Sequence, residues 1–573
     1  MIRTVDLKQL TASGEDFVLT HDGDELILEF ADVNWPYAAM SFPAMNINDS
    51  LGMAVEVTLE SDGPAHLFGY NGVGFWNSGM EKLETGVRKT LEIFQSRRDD
   101  NEDVHNLFPR MRGKPNGYYE LWAEGAAEAD PFNLSAIRLE VEREGKPVRI
   151  RIHSIHSFGV CETPTAETAK DYYPVVDRYG QYAHAEWPDK VHSDEELRAL
   201  QIEEDADIAA HSPKGWDKYG GWADGPSLEA TGHFRTQKYH GKWWLVDPEG
   251  NLYWSHGATG MGLHTQSDVK GREMLFPDDT PENADFKGRN IKIRMGGCED
   301  WEDKASELIM RRMKSWGMNA SGAFMDPRWL EKGYKLPYCV FTTSLRRPDG
   351  IHGIGALDAE WEAYAENNIK AAAEKYGDDP YCIGFYIDNE IHTDYDYADW
   401  RKYYRTLKNL MVKHAPNKLY LGSRLDYHRF PRMDESFHNA ARAAGEFCDV
   451  VSFNQYRYSL ANLVLPDNID KPIMIGEFHF GALDRGILHT GLRPVKSQAQ
   501  RAEAYKLFLT SALKSPYLVG THWFTYSAQP VTGRFDGENY QIGLVDVCDT
   551  PYREMVEAMR EIGYNMYRIR RGE

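Results

Sequence analysis

The hydrophobic pattern divides the chain into three parts. Up to about residue 160, short runs of alternating apolar and polar residues recur about every dozen residues, separated by Gly, Asp, Asn and Pro. Such spacing is typical of an antiparallel β-sandwich or jelly roll, which we predict for residues 1–161. The runs are DFVLTH, ELILEF, MAVEVTLE, AHLFGY, KTLEIF, YYELWAE, SAIRLEVE and PVRIRIHSIHSF.

Residues 162–234 have a different texture, polar and rich in aromatic residues, with one helical stretch near Glu195 to Ala206. We predict a long connector packed on the following domain. In the first part, Trp35, Tyr37 and Trp76 could form a sugar platform, although packing in the sandwich core is the favoured interpretation of each.

In residues 235–573, apolar strands alternate with longer amphipathic helices. The strand candidates are NLYWSHGATG, GMNASGAF, LPYCVFTT, CIGFYIDNE, LYLGSR, VVSFNQY, IMIGEFHF and LVGTHWFTY. Eight such βα units predict a (β/α)8 TIM barrel, so the fold class is a multidomain α/β protein with an N-terminal all-β domain. A doubly wound sheet is the rival, but HGATGMG after the first strand does not match GxGxxG.

Several helices carry recognisable end signals. In WEDKASELIMRRMKSWG, the apolar positions from Ala305 to Trp316 share one face and Gly317 ends the helix. Ser497 and Gln500 form a candidate capping box, and Pro551 suits a first helical turn.

Two glutamates close strands of the predicted barrel, at the end where such barrels place their active sites. Glu390 ends strand four in FYIDNE, and Glu477 ends strand seven in IMIGEF. One such glutamate could equally form a salt bridge at the rim. Two facing each other across the barrel mouth match the pair of carboxyls that glycoside hydrolysis requires, one as acid and one as nucleophile or stabiliser.

Asn389 directly precedes Glu390, and Asn-Glu at this position resembles the signature of the retaining TIM-barrel glycosidases of clan A. The resemblance implies that Glu390 is the acid/base, that Asn389 binds the hydroxyl next to the reacting carbon, and that Glu477 is the nucleophile.

The segment from about residue 471 to 552, together with IGFYIDNE, resembles glycoside hydrolase family 50, the β-agarases. That family implies retaining cleavage of β-1,4 linkages in agarose, commonly in exo mode with release of neoagarobiose. It also implies an N-terminal sandwich that resembles a carbohydrate-binding module. The expected partner is agarose or a related galactan oligosaccharide, and no cofactor is expected.

Further residues at strand ends and in the following loops are candidates for substrate binding. Tyr456 could hydrogen-bond the nucleophile, and Trp523 could stack on a sugar, although each is about as often a packed core residue. The loop TGRFDGENYQIG follows strand eight, and the loop with Asp484, Arg485 and His489 could wall off one end of the cleft and favour exo action. The candidate substrate-binding set is Asn389, His256, Arg424, Asn454, Tyr456, His479, Trp523, Arg534, Glu538 and Asn539.

Composition limits the other functional classes. The net charge of −23 repels phosphate backbones, so no nucleic-acid partner is expected. No apolar run is long enough to span a bilayer, and the first residues lack a signal-peptide pattern. We expect a cytoplasmic or periplasmic protein, or a secreted one whose leader was removed. The six scattered cysteines suggest buried free thiols.

Other chemistries find little support. HExxH, paired CxxC, DxDxDG, GxSxG and P-loop patterns are missing, so no metal site is predicted, although a structural calcium stays open. Two alternatives to agarose cleavage remain. One is hydrolysis of another galactan, such as a porphyran-type oligosaccharide or a β-galactoside, since Arg424, Arg485 and Arg534 could meet sulfate or neutral hydroxyls. The other is a non-catalytic glycan-binding protein.

Overall fold

The computed structural model describes most of the chain, including every predicted site residue. Trp35 and Trp76 lie outside the described residues, whereas Tyr37 is half-buried beneath the guanidinium of Arg138. The described ranges are 2–32, 36–72, 77–97, 101–121, 130–143, 145–326, 328–333, 335–345, 354–391, 395–426 and 435–573.

The N-terminal region forms two five-stranded antiparallel sheets, ordered β1-β4-β9-β6-β7 and β2-β3-β10-β5-β8. The strands are β1 (Thr11–Glu15), β2 (Phe17–Asp22), β3 (Glu25–Phe30), β4 (Tyr37–Met45), β5 (Gly52–Leu59), β6 (Ala65–Asn71), β7 (Ser78–Leu83), β8 (Arg88–Phe94), β9 (Leu134–Glu142) and β10 (Val148–Phe158). Their inward side chains form one apolar core. In β10, Val148, Ile150 and Ile152 are buried and alternate with partly exposed positions, as expected for a strand with one solvated face.

Seven of the eight predicted runs in this region contain strands. The prediction for YYELWAE is wrong over its described part, because Tyr119 and Glu120 form only isolated bridges, with Gly113 and Arg97. Strands β1, β4 and β7 were not predicted, since their sequences mix glycine, proline and small residues with few alternating apolar positions.

The connector contains the predicted helix, α2 (Asp194–Ala210), with Ser193 as its N-cap. Glu204 of α2 binds Arg294 and Arg312 of the following domain at 2.6 Å each, and Arg312 also binds Asp549 at 2.7 Å. The connector is therefore fastened to the domain that follows it by buried ion pairs.

The C-terminal region is built around a nine-stranded parallel sheet, ordered β20-β19-β18-β17-β14-β24-β23-β22-β21. Its strands are β14 (Ser255–Ala258), β17 (Ala320–Ser321), β18 (Tyr338–Thr342), β19 (Cys382–Ile387), β20 (Leu419–Tyr420), β21 (Leu425–Asp426), β22 (Val451–Asn454), β23 (Ile473–Glu477) and β24 (Leu518–Trp523). Short antiparallel ladders precede or flank it: β11 (Arg235–Tyr239), β12 (Lys242–Val246) and β13 (Leu252–Tyr253) form one, and β15 (Gln266–Asp268) and β16 (Asn283–Asp285) form another. Each of the eight predicted strands is present.

Of the two end strands of this sheet, β20 begins the predicted fifth strand LYLGSR and β21 directly follows that run. Only residues 421–424 separate them, and they pair in opposite directions around the sheet, β20 with β19 and β21 with β22. The interruption coincides with a glycine and with Arg424, both of which have positive φ. The regular hydrogen-bonded ladder is thus interrupted where these two residues bend the chain.

Helices follow the strands of the sheet. Those in the described residues, apart from α2, are α1 (Glu102–Leu107), α3 (Phe286–Arg294), α4 (Trp301–Ser315), α5 (Arg328–Glu331), α6 (Ala359–Tyr376), α7 (Tyr397–His414), α8 (Glu435–Phe447), α9 (Gln498–Lys514) and α10 (Arg553–Arg571). None of them is both long and apolar enough to cross a membrane.

The predicted helix signals are largely confirmed. Gly317 ends α4 with φ +78°, and the Met318 amide reaches back to the Met313 carbonyl at 2.8 Å. Ser497 caps α9, but the Gln500 side chain accepts from the Lys496 amide rather than from that of Ser497. Pro551 lies just before the N-cap Tyr552 of α10, not inside its first turn.

One segment of the N-terminal region packs into loops of the C-terminal region. Gly113 exchanges two hydrogen bonds of 2.7 Å with the Asn539 side chain, and the Glu120 carbonyl lies 3.0 Å from His489 Nε2. Within the segment, Lys114 and Glu120 form a fully buried ion pair of 2.5 Å. All six cysteines are free thiols, five of them buried and Cys298 partly exposed.

Candidate active site

Glu390 follows strand β19 in a sharply bent segment. Asp388 and Glu390 have φ values of +63° and +48°, in the left-handed region that residues with side chains rarely adopt. Such strained backbone persists only where surrounding contacts hold it, and it is concentrated at functional sites.

Asp388 supplies the contacts that hold this bend. Its carboxylate accepts from the Ser344 amide at 2.6 Å, the Leu345 amide at 3.0 Å and the Tyr403 hydroxyl at 2.7 Å. It also accepts from the Thr343 hydroxyl at 2.9 Å. These bonds tie the end of strand four to the loop after strand three and to helix α7.

The Glu390 carboxyl has an environment that favours its protonated form. Desolvation, followed by the charges of Glu477 and Asp426, raises its pKa to about 8. The residue nevertheless keeps access to solvent. A carboxylic acid that is protonated near neutral pH and open to the cleft can donate a proton to a leaving group.

Glu477 is held by two hydrogen-bond donors. Arg424 Nη2 donates to Glu477 Oε1 at 2.6 Å, and the Tyr456 hydroxyl donates to Oε2 at 2.5 Å. Glycine at position 476 permits this approach, because a Cβ there would lie 2.7 Å from Arg424 Nε. A charged donor and a hydroxyl donor on separate oxygens orient a carboxylate for attack.

Asn454 and Arg424 connect the two glutamates. Asn454 Nδ2 lies 2.7 Å from Glu390 Oε1 and 3.2 Å from Asn389 Oδ1, and its backbone is in register with Glu477. Arg424, which binds Glu477, accepts at its carbonyl from the Glu390 amide at 3.4 Å. The structure therefore brings together six of the predicted residues, namely the carboxyl pair Glu390 and Glu477 with Asn389, Arg424, Asn454 and Tyr456 around it.

The two predicted histidines lie in buried positions. His256 shares a 2.8 Å hydrogen bond with Tyr505, and burial lowers its pKa to about 3. His479 Nε2 accepts from the Leu492 amide at 2.9 Å, and its ring centre lies 4.7 Å from that of Tyr456. Burial keeps the pKa of His479 well below its usual range, so both rings are neutral.

Trp523 offers no face to a sugar, which corrects the expectation of stacking. The side chain is fully buried and its indole nitrogen donates to the Ile542 carbonyl at 2.7 Å. Its place is in the core of the sheet, the alternative that the sequence had left open.

The loop after strand eight is internally braced. Arg534 binds both oxygens of Asp536 at 2.8 Å and Glu538 at 2.6 Å, and Glu538 also accepts from Gln529. Burial raises the pKa of Glu538. Asn539 is fully buried, and its amide is used by backbone groups of Gly113 and Val531. For Asn539 the structure thus indicates support of the loop instead of substrate contact.

Phe324 is a site residue that the sequence analysis missed. It follows strand β17, has φ +65°, is 44% exposed, and its ring centre lies 4.9 Å from the Arg424 guanidinium. Tyr386 lies on Arg424 as well, at 5.5 Å. Asp388 and Asp426 were also missed. Their positions at the ends of strands four and five were the available signal.

Among the described residues, no group of three or more His, Cys, Asp or Glu side chains could hold a metal ion.

Comparison with known proteins gives two curated relatives. β-Agarase B of Vibrio sp. (strain JT0107) is 28% identical over 598 aligned positions, covering 80% of this chain and 62% of the relative. β-Agarase A of the same strain is 28% identical over 669 positions, covering 91% and 65%. The chain thus spans less than two thirds of the length of these relatives. No profile of a known protein family matches the chain.

Solved structures resemble the whole chain. PfGH50B aligns with a TM-score of 0.77 at 22% identity and covers 100% of both chains. The agarase AgWH50C aligns with a TM-score of 0.74 at 24% identity over 98% of both chains. The chain resembles the β-agarases of glycoside hydrolase family 50. The structure of an exo-β-agarase aligns over 99% of this chain, with a TM-score of 0.74 at 24% identity.

Proposed function

We propose that the chain is a retaining glycoside hydrolase that cleaves β-1,4-galactosidic linkages of agarose and neoagaro-oligosaccharides. The observation that carries the proposal is the contrast between the two carboxyls: the pKa of Glu390 is raised to about 8, whereas Glu477 is held by Arg424 and Tyr456. A retaining mechanism needs one protonated and one ionised carboxyl at the same bond.

In the first step, a Glu477 oxygen attacks the anomeric carbon of a galactose unit while Glu390 gives its proton to the glycosidic oxygen. The bond between that carbon and that oxygen breaks, the leaving sugar departs with a new hydroxyl, and a glycosyl ester forms on Glu477. In the second step, Glu390 takes a proton from water, the water oxygen attacks the same carbon, and Glu477 is released. Two inversions retain the β configuration.

Neighbouring groups suit the recognition of sugar hydroxyls. Asn389 follows the family pattern as the ligand of the hydroxyl next to the reacting carbon, and its amide can both donate and accept. Arg424 Nε and Nη1 are buried and meet no hydrogen-bond partner within the described residues.

A neutral galactan is favoured over a sulfated one. The three arginines that could have met sulfate are all paired with carboxylates: Arg424 with Glu477, Arg485 with Asp484 and Glu554, and Arg534 with Asp536 and Glu538. A sulfate would have to compete with these carboxylates for the same donors.

The finer architecture belongs to the same proposal. We infer a closed (β/α)8 barrel over residues 235–573, since only residues 421–424 separate β20 from β21 and the two ends of the sheet are thus joined by a short connection. Residues 1–161 would form a jelly-roll sandwich of the carbohydrate-binding type and 162–234 the packed connector. Exo action, with release of neoagarobiose, is supported by the contact of the strand-seven loop with Glu120, which would close one side of the cleft.

The test is to incubate the purified protein with agarose, neoagaro-oligosaccharides, porphyran and an aryl β-galactoside, and to follow products by mass over time. We expect neoagarobiose alone from the earliest time points. A ladder of longer products would contradict exo action. Turnover of only another galactan would exclude agarose as the substrate, and no turnover at all would favour a glycan-binding protein.

Glu477→Ala tests the mechanism. The variant should fold normally and lose turnover of agarose, and azide should restore cleavage of an activated aryl galactoside by taking the place of the missing carboxylate. Near-normal agarose hydrolysis by this variant would rule out the assignment of the nucleophile.

A further inference from the structure

The loop after strand eight presents an aromatic ring that the catalytic scheme does not use. Phe535 is 82% exposed, the highest value among the large hydrophobic residues that the structure describes. A single exposed apolar residue is ordinary on a protein surface, so exposure alone carries no conclusion.

The loop that carries Phe535 is, however, held in place by several hydrogen bonds. Arg534 and Asp536, its two chain neighbours, form a bidentate pair of 2.8 Å, and the Gly537 amide bonds to the Arg534 carbonyl at 3.0 Å. The Arg112 amide of the N-terminal region donates to the Gly537 carbonyl at 2.9 Å. A flat ring on a fixed loop loses little conformational entropy when it binds a partner.

A chain of contacts leads from this ring to the nucleophile. Arg534 lies 5.5 Å from the Phe535 ring and 5.8 Å from the Phe524 ring, and Phe524 lies 6.1 Å from His479. His479 in turn contacts Tyr456, the hydrogen-bond donor to Glu477. Phe535 thus lies on the same side of the sheet as the carboxyl pair, outside the residues that contact Glu390 and Glu477 directly.

We propose that Phe535 is an aromatic platform on which a galactose unit of the polysaccharide stacks, outside the subsites next to the cleaved bond. Pyranose rings have apolar faces of C–H groups that pack on aromatic rings. The proposal rests on the proposed function, because the occupant is a further unit of the same galactan chain.

The platform predicts a dependence on chain length. A ring outside the central subsites contributes only when the substrate is long enough to reach it. Phe535→Ala should therefore raise KM for agarose about fivefold, within the range expected for loss of an aromatic stacking contact, with little change in kcat. KM for the shortest neoagaro-oligosaccharide that is cleaved should stay unchanged.

Three variants make the test specific. Phe535→Trp should retain a low KM for agarose. Phe535→Leu should behave like Phe535→Ala, because leucine is apolar without a flat face. Ile202→Ala is the control, since it removes another exposed apolar side chain, 73% exposed on α2. Equal kinetics of Phe535→Ala and the unaltered protein on long chains would overturn the platform. So would an equal rise in KM on all lengths. Activity on the short substrate shows separately that the hydrolase itself is intact.

Discussion

The guanidinium of Arg424 lies 2.6 Å from the carboxylate of Glu477, and both side chains are almost wholly withdrawn from solvent. The same arginine lies between the rings of Phe324 and Tyr386 and accepts the amide of Glu390 at its carbonyl. Arg424 thus contacts Glu477 through its side chain and Glu390 through its backbone.

Glu390→Gln should separate protonation from attack. Loss of the acid should lower kcat/KM on agarose by about 10²- to 10⁴-fold, and by much less on an aryl galactoside whose leaving group needs little protonation. Steady-state kinetics on both substrates check this. If both substrates lose activity equally, Glu390 is not the acid.

The pH profile provides a second test of Glu390. Its pKa is raised to about 8, so the proton it must donate is present below that value and is lost as the pH rises through it. We expect the alkaline limb of kcat/KM for agarose near pH 8. With the activated substrate, Glu390→Gln should lack this limb, and an unchanged limb would assign it to another group.

Tyr456→Phe removes the hydroxyl that binds Glu477 Oε2 at 2.5 Å. A hydrogen bond to a charged group contributes about 1.5–3 kcal/mol, so kcat should fall about 10- to 100-fold while the fold is kept. The matched control is Tyr458→Phe, whose hydroxyl binds the Pro494 carbonyl at 2.7 Å away from the carboxyl pair. Equal losses in kcat for the two variants would contradict a specific role of Tyr456.

Arg312 and Arg311 are neighbours on α4 whose replacement should affect stability to very different extents. Arg312→Ala removes one of the two arginines, the other being Arg294, that pair with the buried Asp549 and Glu204, and should cost about 3–5 kcal/mol. Arg311, 50% exposed in its pair with Asp205, should cost under about 1 kcal/mol when replaced by alanine. Denaturant unfolding measures both, and similar values would mean that the buried network does not fasten the connector.

Asp247 should make stability depend on pH. Desolvation and the neighbouring Asp217 raise its pKa to about 8. Because the folded state holds this proton more tightly than the unfolded state, the contribution to stability is present at low pH and is lost as the pH rises through about 8. Between pH 5 and 8, the unfolding temperature of Asp247→Asn should fall less than that of the unaltered protein. Parallel curves of unfolding temperature against pH would contradict the raised pKa of Asp247.

Much of the fold could be predicted from the sequence because it depends on local periodicity. The eight predicted strands follow from apolar runs, and the proposed catalytic pair Glu390 and Glu477 follows from two of these runs that end in a carboxylate. Strands β1, β4 and β7 could not be predicted, since they depend on pairing with distant partners more than on their own composition.

Site residues were harder to predict when their role depends on orientation. Trp523 and Phe535 are both aromatic residues of the last βα unit, yet one is fully buried and the other 82% exposed. Asn539 lies in a loop suited to substrate contact, but its side-chain amide is hydrogen-bonded to Gly113 of a distant segment. Only the three-dimensional contacts separate these cases.

The bonds between Gly113 and Asn539 join positions 426 residues apart. During synthesis the N-terminal segment leaves the ribosome long before its partner exists, so the strand-eight loop and the ring it carries take their final arrangement only after residue 539 has been made. Translation products that stop short of this loop would carry Glu390 and Glu477 but lack the loop that Gly113 binds.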